Sequence, residues 1–286
     1  MNDSRETAKP RACVIGHPVD QSRSPLVHGY WLKKYGIDGD YVRQDVAPGA
    51  IGEFMDKLRS GEAGYVGCNV TMPYKAAAFE LADERDELAT TLGVANTLWV
   101  EDGRIHATNT DGFGFASSLD ALHPGWDYAE RAVVLGAGGG ASAVVLALKN
   151  RGFSHVHIVN RTLARASELA FRLGDRVHAH DMDNLQAVME GAGLFVNTTS
   201  LGMKGGAVPE FDFSPMHENA IVADIVYVPL ETPILKQAKQ QGFRTAEGIG
   251  MLLYQAVPGF EKWFGKTPEV DNGLMAEILA DLGETA

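Results

Sequence analysis

The chain has 286 residues, of which 45% are hydrophobic, so it can bury a sizeable core, and its length favours two domains over one. Its formal net charge of -12, without any basic run, argues against a nucleic acid or an anionic membrane surface as partner. Two cysteines without a C-x-x-C pair imply neither a disulfide framework nor a metal site, and no stretch is apolar enough to span a bilayer, so we expect a cytoplasmic protein without a metal.

Short apolar runs alternate along the chain with segments of helical periodicity, a pattern typical of a parallel α/β fold. The predicted strands are 12–16, 65–70, 132–136, 156–160, 194–198 and 221–226, and the predicted helices are 25–35, 73–82, 140–151, 163–173, 231–241 and 249–264. Residues 95–112 depart from this alternation and predict two strands around Asp102-Gly103, a dipeptide suited to a tight hairpin turn. The end of this hairpin is expected to be a hinge between an N-terminal and a middle domain.

Three polar clusters follow predicted strands in the N-terminal part: "GHPVDQSRSPLVHG", "NVTMPYK" and "NTDG". In an open α/β sheet the carboxyl ends of the strands line the ligand crevice. The side chains expected to converge there are Ser22, Ser24, Thr71, Lys75 and Asp111. Each has a structural explanation when taken alone, as a helix cap, a turn residue or a surface lysine. Their joint occurrence favours a site.

A glycine-rich segment, "GAGGGA" at 136–141, directly follows an apolar strand and opens an apolar helix. Gly136 permits the tight turn, Gly138 lets the backbone approach a pyrophosphate, and Ala141 lets helix meet strand. The N–H groups at the start of the helix can then bind the phosphates. A turn that binds nothing can have the same spacing, so the next strand is needed to decide.

The next strand ends at Asn160, where an NAD-binding protein usually has an acidic residue for the ribose hydroxyls. Arg161, Thr162 and Arg165 follow instead. Guanidinium groups and a hydroxyl suit a 2′-phosphate, which a carboxylate would repel. A solvated helix start is the alternative, but the position of these residues predicts NADP as the cofactor.

The sequence resembles the shikimate dehydrogenase family over nearly its whole length. The motifs that carry the resemblance occur in the family's order: "SRSP", "NVTMPYK", "GVANTL", "NTDG", "GAGGG", "NRT", "NTTSLGM", "DIVYVPLETPIL" and "GIGMLLYQA". The resemblance implies reversible reduction of 3-dehydroshikimate to shikimate by NADPH, in chorismate and aromatic amino-acid biosynthesis. It also implies two α/β domains: a substrate-binding domain with a mostly parallel sheet, 1–111 plus 248–286, and a Rossmann NADP-binding domain, 112–247.

The same resemblance implies roles for single residues. Ser22 and Ser24 would hold the substrate carboxylate with Tyr227. Around the ring hydroxyls would lie Thr71, Lys75, Asn96, Asp111 and Gln255, with Lys75 and Asp111 as the catalytic pair. The expected cofactor-binding residues are Gly136, Ala137, Gly138, Gly139, Gly140, Ala141, Asn160, Arg161, Thr162, Arg165, Thr198, Ile225 and Gly248.

The chemistry of hydride transfer supports a lysine in this role. When a hydride leaves a carbinol carbon the hydroxyl proton must leave too, so a positioned acid/base group is required. A free lysine has a pKa of about 10.4, which desolvation would lower and a nearby Asp111 would raise. We therefore hypothesise that Lys75 transfers the proton and Asp111 orients it, as a pair whose titration is coupled.

The sequence departs from the family pattern at three places. Gln21 stands where the family commonly has histidine, and Ile225 takes a position often given to methionine. The glycine loop continues as Ala141-Ser142-Ala143, where the family often has an arginine. Three alternatives stay open: a quinate/shikimate dehydrogenase with broader substrate or NAD use, a catalytically silent NADP-binding regulator, and a two-domain dehydrogenase acting on a folate-like substrate. The expected partner is a small-molecule substrate, and the expected assembly is a monomer or homodimer.

Overall fold

The protein is an α/β chain, and the computed structural model describes residues 9–283. The strands are β1 Arg11–Gly16, β2 Asp40–Asp45, β3 Gly67–Val70, β4 Glu84–Arg85, β5 Thr97–Glu101, β6 Arg104–Thr108, β7 Arg131–Leu135, β8 His155–Val159, β9 Val177–His180, β10 Leu194–Asn197, β11 Ile221–Asp224 and β12 Arg244–Ala246. The α-helices are α1 Ser24–Tyr35, α2 Ile51–Ser60, α3 Lys75–Leu81, α4 Glu87–Leu92, α5 Asp111–Leu122, α6 Gly139–Asn150, α7 Leu163–Leu173, α8 Leu185–Met189, α9 Pro233–Gln240, α10 Ile249–Tyr254, α11 Val257–Phe264 and α12 Asn272–Leu282. None of the helices within this range is long and apolar enough to cross a membrane.

The chain divides into two compact units, one running to Thr110 and resuming at Ala256, the other comprising Asp111–Gln255. The second division falls after α10, whereas the sequence places it at 248. Helix α10 belongs to the second unit because it packs closely on α5: a Cβ atom on Gly114 would lie 2.6 Å from the Met251 carbonyl oxygen. Helices α11 and α12 belong to the first unit.

The first unit contains a six-stranded mixed sheet in the order β2-β1-β3-β5-β6-β4. Strand β1 pairs in parallel with β2 and β3, while β5 pairs antiparallel with β3 and β6. The predicted hairpin between β5 and β6 is confirmed, with positive φ angles of 50° at Asp102 and 72° at Gly103. The core against α2 and α3 includes Ile15, Met55 and Leu98. Because β1 and β3 are parallel neighbours, their carboxyl ends lie side by side.

The second unit contains six parallel strands in the order β12-β11-β10-β7-β8-β9. Counted along this unit the order is 6-5-4-1-2-3, the doubly wound order of dinucleotide-binding domains. Separate hydrophobic clusters cover the two faces of the sheet, so the central strands are continuous apolar runs. The strand order reverses between β7 and β10, and their carboxyl ends therefore form the expected ligand crevice.

Most predicted elements occur within a few residues of their expected bounds. The predicted helix 249–264 is two helices, α10 and α11, because Pro258 lies in the first turn of α11 and lacks the N–H that a continuous helix would need there. The elements that the sequence patterns did not reveal include α2, α4 and the strands β2, β4, β9 and β12.

Candidate active site

The two serines lie in the loop between β1 and α1. Ser22 Oγ donates to Ser24 Oγ at 3.2 Å, and the Ser24 backbone N–H donates to Ser22 Oγ at 3.3 Å. Arg43 fixes this loop by donating to the Ser22 carbonyl at 2.9 and 2.6 Å. Helix α1 is preceded by Arg23 and has no side-chain cap, so neither serine serves as one. The two neighbouring hydroxyls are neutral groups of the kind that can donate to an anion.

The "NVTMPYK" segment lies beside this serine loop. The Thr71 N–H donates to the Ile15 carbonyl at 2.9 Å, and the His17 N–H donates to the Met72 carbonyl at 3.2 Å. Gly16 permits the approach, since a Cβ there would lie 3.0 Å from the Met72 carbonyl oxygen. Thr71 does not cap α3, whose N-cap is Tyr74. The ends of β1 and β3 therefore bring Thr71 to the serine loop.

Lys75 is the first residue of α3 and is partly buried. Its carbonyl accepts a hydrogen bond from the Ala95 N–H at 2.9 Å, which ties the start of α3 to the residue before Asn96. Asn96 is 2% exposed, and its Oδ1 accepts from the Thr110 N–H at 2.8 Å and from the Thr97 hydroxyl at 3.0 Å. The hydrogen bond between the Lys75 and Ala95 backbones thus fixes the position of Lys75 relative to Asn96.

Asp111 begins α5 in the second unit and is 8% exposed. A carboxylate in the first turn interacts favourably with the helix dipole. Gly112 lets α5 approach α6: a Cβ there would lie 2.8 Å from the Ala143 carbonyl oxygen. A Cβ on Gly114 would lie 2.6 Å from Cβ of Gln255. The helix that carries Asp111 therefore contacts both the glycine-loop helix and Gln255, while the pairing of Asp111 with Lys75 stays a prediction.

The glycine loop spans the end of β7 and the start of α6. Gly136 has a φ of 112°, in the region that favours glycine. Gly138 and Gly139 are exposed, and a Cβ on either would meet no described atom within 4 Å. Ala141 is fully buried where helix meets strand. These positions fit a pyrophosphate placed over exposed backbone at a helix N-terminus.

The "NTTSLGM" segment is held at the end of β10 by buried polar groups. Thr198 Oγ1 donates to the Leu135 carbonyl at 2.8 Å, which joins the segment to the end of β7. Asn197 Nδ2 donates to Asp224 Oδ1 at 2.9 Å, and Thr232 Oγ1 donates to Asp224 Oδ2 at 2.7 Å. Burial raises the pKa of Asp224 to about 6, although three hydrogen bonds act in the opposite direction.

Asn197 and Asp224 are structural members of this site that the sequence reasoning missed. The available signal was a polar residue at the end of each apolar strand, "LFVN" and "IVAD".

Ile225, Gly140 and Gly248 form one contact group at the end of β11. A Cβ on Gly140 would lie 2.7 Å from Ile225 Cδ1, and a Cβ on Gly248 would lie 2.5 Å from the Ile225 carbonyl oxygen. Ala137 is partly buried in the same loop as Gly140, and Tyr227 is partly buried two residues after Ile225. The structure thus brings three predicted cofactor residues together at the glycine loop.

The residues predicted to select NADP lie at the start of α7. Asn160 Nδ2 donates to the Thr162 carbonyl at 2.8 Å, which shapes the turn. Arg161 and Arg165 are exposed, and the Thr162 side chain does not cap the helix. Two exposed guanidinium groups near a helix N-terminus are suited to a dianionic phosphate, and their role as the 2′-phosphate site stays a prediction. No cluster of three or more metal-ligating side chains was found between residues 9 and 283.

Comparisons with protein-family models assign three segments of the chain. Residues 14–98 match "Shikimate dehydrogenase substrate binding domain", residues 125–205 match "Shikimate / quinate 5-dehydrogenase", and residues 248–276 match "Shikimate 5'-dehydrogenase C-terminal domain". The chain is 57% identical over 282 residues to shikimate dehydrogenase (NADP(+)) from Rhizobium etli. The matched residues make up 99% of each of the two chains.

Two solved structures are similar over almost the entire chain. Shikimate 5-dehydrogenase from Thermus thermophilus, in complex with NADP(H) and shikimate, has a TM-score of 0.83 at 32% identity and covers 96% of this chain and 99% of that chain. Quinate dehydrogenase from Corynebacterium glutamicum, in complex with NAD, has a TM-score of 0.86 at 30% identity and covers 95% of this chain and 99% of that chain.

Proposed function

The chain belongs to the shikimate dehydrogenase family, and we propose that it catalyses the reversible, NADPH-dependent reduction of 3-dehydroshikimate to shikimate, with Lys75 and Asp111 assisting proton transfer. The observation that carries the proposal is the glycine loop at the strand-order reversal of the second sheet, followed one strand later by Asn160 and Arg161 in place of an acidic residue. This arrangement suits NADP, and the family relationship supplies the substrate class.

The first unit is proposed to bind the substrate. Ser22 and Ser24 are proposed to offer neutral donors to a carboxylate, and Tyr227 of the second unit is proposed to complete the set. Neutral hydroxyl donors can bind an anion without a basic protein surface. They therefore reconcile an anionic substrate with a chain of net charge -12.

Lys75 is proposed to exchange a proton with the reacting oxygen. In the oxidative direction the C–H electron pair leaves as hydride, the O–H bond breaks, and the lysine amine accepts the proton; in the reductive direction the ammonium returns it to the carbonyl oxygen. Asp111 is proposed to orient the Lys75 side chain. Thr71, Asn96 and Gln255 are proposed to orient the ring hydroxyls.

The second unit is proposed to bind NADP, which when bound accepts or supplies the hydride. The N–H groups of Gly138, Gly139 and Gly140 would hold the pyrophosphate, and Arg161 with Arg165 the 2′-phosphate. Thr198, Ile225 and Gly248 would flank the nicotinamide end. The open space over Gly138 and Gly139 and the exposure of both arginines support this orientation.

Initial-rate absorbance assays on the purified protein test this function with four pairs of reactants: shikimate or quinate, each with NADP or NAD. A strong preference for shikimate with NADP is expected. Comparable rates with quinate or NAD would assign the chain to the broader dehydrogenases. Tight NADP binding without turnover of either acid would identify a silent regulator instead.

We also propose a cytoplasmic location and a monomeric or homodimeric assembly. The two free thiols, Cys13 and Cys68, support a reducing compartment, since they are buried register partners on β1 and β3 and remain unbridged. Cell fractionation and sedimentation equilibrium test these two proposals.

A further inference from the structure

A buried chain of hydrogen bonds runs through the sheet of the first unit. The Tyr41 hydroxyl donates to Asn69 Oδ1 at 2.6 Å, joining β2 to the end of β3. Asn69 Nδ2 donates to the Asn96 carbonyl at 3.3 Å and to Thr97 Oγ1 at 3.2 Å. Thr97 Oγ1 in turn donates to Asn96 Oδ1 at 3.0 Å. All four side chains are at most 8% exposed.

Backbone groups fix the direction of every hydrogen bond in this chain. The Thr110 N–H can only donate, so the Asn96 amide atom that it contacts must be the oxygen, Oδ1. Nδ2 of Asn96 therefore points away from Thr110. The Asn96 carbonyl can only accept, so it assigns Nδ2 of Asn69. Oδ1 of Asn69 must then face Tyr41, whose hydroxyl has to donate to it.

The Tyr41 ring is held by helix α1. His28 of this helix stacks on it at 3.9 Å between centroids, with an interplanar angle of 12°. Burial raises the pKa of the Tyr41 phenol well above its ordinary value, so the phenol stays protonated and remains a donor. The phenol is therefore held in one place, with its hydroxyl on Asn69.

We propose that Tyr41 and Asn69 are positioning residues that act on the ring-binding Asn96 through one buried hydrogen-bond chain. This inference rests on the proposed function, because Asn96 is a substrate ligand only if that function is correct. Tyr41 sets the direction of the Asn69 amide, and Asn69 with Thr97 sets the direction of the Asn96 amide. Neither Tyr41 nor Asn69 needs to touch the substrate.

The alternative is that the chain only stabilises the fold, as buried polar networks often do. The two roles differ in a double-mutant cycle of Tyr41→Phe with Asn96→Ala, because only a positioning residue loses its effect when the residue it positions is absent. Tyr65→Phe is a matched control: it removes another tyrosine hydroxyl of the same sheet region, one that donates to Gln44 Oε1 at 3.2 Å.

The readout is the KM for shikimate and for NADP at 20 °C, with the melting temperature of each variant. Loss of one neutral hydrogen bond predicts that Tyr41→Phe raises the KM for shikimate about 3- to 10-fold and leaves the KM for NADP unchanged. In the Asn96→Ala background the same substitution is expected to change the KM for shikimate less than about 2-fold. Tyr65→Phe should alter neither constant.

Equal effects of Tyr41→Phe in both backgrounds, or a lower melting temperature with no change in KM, would overturn the proposal. If Tyr41→Phe does not fold, Thr97→Val tests the same chain from its other end with an isosteric side chain. It should raise the KM for shikimate by a similar factor, less so when combined with Asn96→Ala; additive effects would again contradict the proposal. Inactivity of the unmodified protein with shikimate and NADP would instead refute the proposed function.

Discussion

A Cβ atom placed on Gly136 would lie 2.7 Å from the hydroxyl oxygen of Thr198, so the ends of β7 and β10 approach as closely as they do because position 136 has no side chain. The φ of Gly136 is 112°, which adds a conformational requirement to the steric one. Gly138, two residues later, has a φ of -92° and open space around it. The two glycines therefore serve different purposes: Gly136 permits the fold and Gly138 leaves room for a ligand.

Substituting these glycines separately should distinguish stability from cofactor binding. Gly136→Ala is expected to lower the free energy of unfolding by about 1–3 kcal/mol, because it combines a strained φ with a close contact. Gly138→Ala should leave urea unfolding unchanged yet raise the KM for NADP at least about 10-fold, since its methyl group would occupy the space of the pyrophosphate. A destabilised Gly138→Ala protein with normal NADP affinity would contradict this division.

Lys75→Ala is expected to lower kcat about 10²- to 10⁴-fold, the usual contribution of a positioned acid/base group. The affinity for NADP, measured by the quenching of protein fluorescence, should be unchanged. Lys57→Ala serves as the control, since this lysine pairs with Glu53 at 2.7 Å on the exposed face of α2. A kcat within about 2-fold of the unmodified protein would remove Lys75 from the reaction.

Arg161→Ala should change cofactor selectivity without changing catalysis. Loss of a hydrogen bond to a charged phosphate predicts that kcat/KM for NADP falls about 10- to 100-fold, while kcat/KM for NAD stays the same. Arg172→Ala, at the last turn of the same helix, is the matched control and should leave both constants unchanged. Equal losses with NADP and NAD would place Arg161 away from the 2′-phosphate.

His28 should make the first unit less stable in acid. Burial lowers its pKa to about 3, below the 6.5 of the unfolded chain, so between these values the unfolded state binds more protons. The free energy of unfolding should therefore fall as the pH drops below about 6.5, by about 2 kcal/mol from this group at pH 5.

His28→Phe is expected to remove that part of the pH dependence. The free energy of unfolding is measured at each pH by urea unfolding, with the fluorescence of Trp31 and Trp263, both buried in this unit, as the signal. His106→Phe, at a partly exposed histidine, provides the control. An unchanged pH slope in His28→Phe would show that His28 does not carry the effect. Asp224, whose pKa is raised to about 6, makes the free energy of unfolding change with pH in the opposite direction. This contribution is the same in the variant and the unmodified protein, so it cancels when the two are compared.

The strands that sequence patterns revealed and those they missed differ in one physical respect. The strands found are the inner members of the two sheets, whereas β2, β4, β9 and β12, which the patterns missed, are the four edge strands in residues 9–283. An inner strand covered on both faces must be an apolar run, as "RAVVL" is. An edge strand tolerates charge, as in "DYVRQD", and leaves no such signal.

The sequence by itself determined the α/β class, the hairpin at Asp102-Gly103, the glycine loop and the polar residues at strand ends, because each of these follows from local periodicity or local backbone preference. Tertiary structure alone decided that α10 joins the second unit, that Tyr41 donates to Asn69, and that Asn197 donates to Asp224. These two side-chain pairs are separated by 28 and 27 residues. Such partners are chosen by strand order and register, which depend on how distant segments pack rather than on the residues of any one segment.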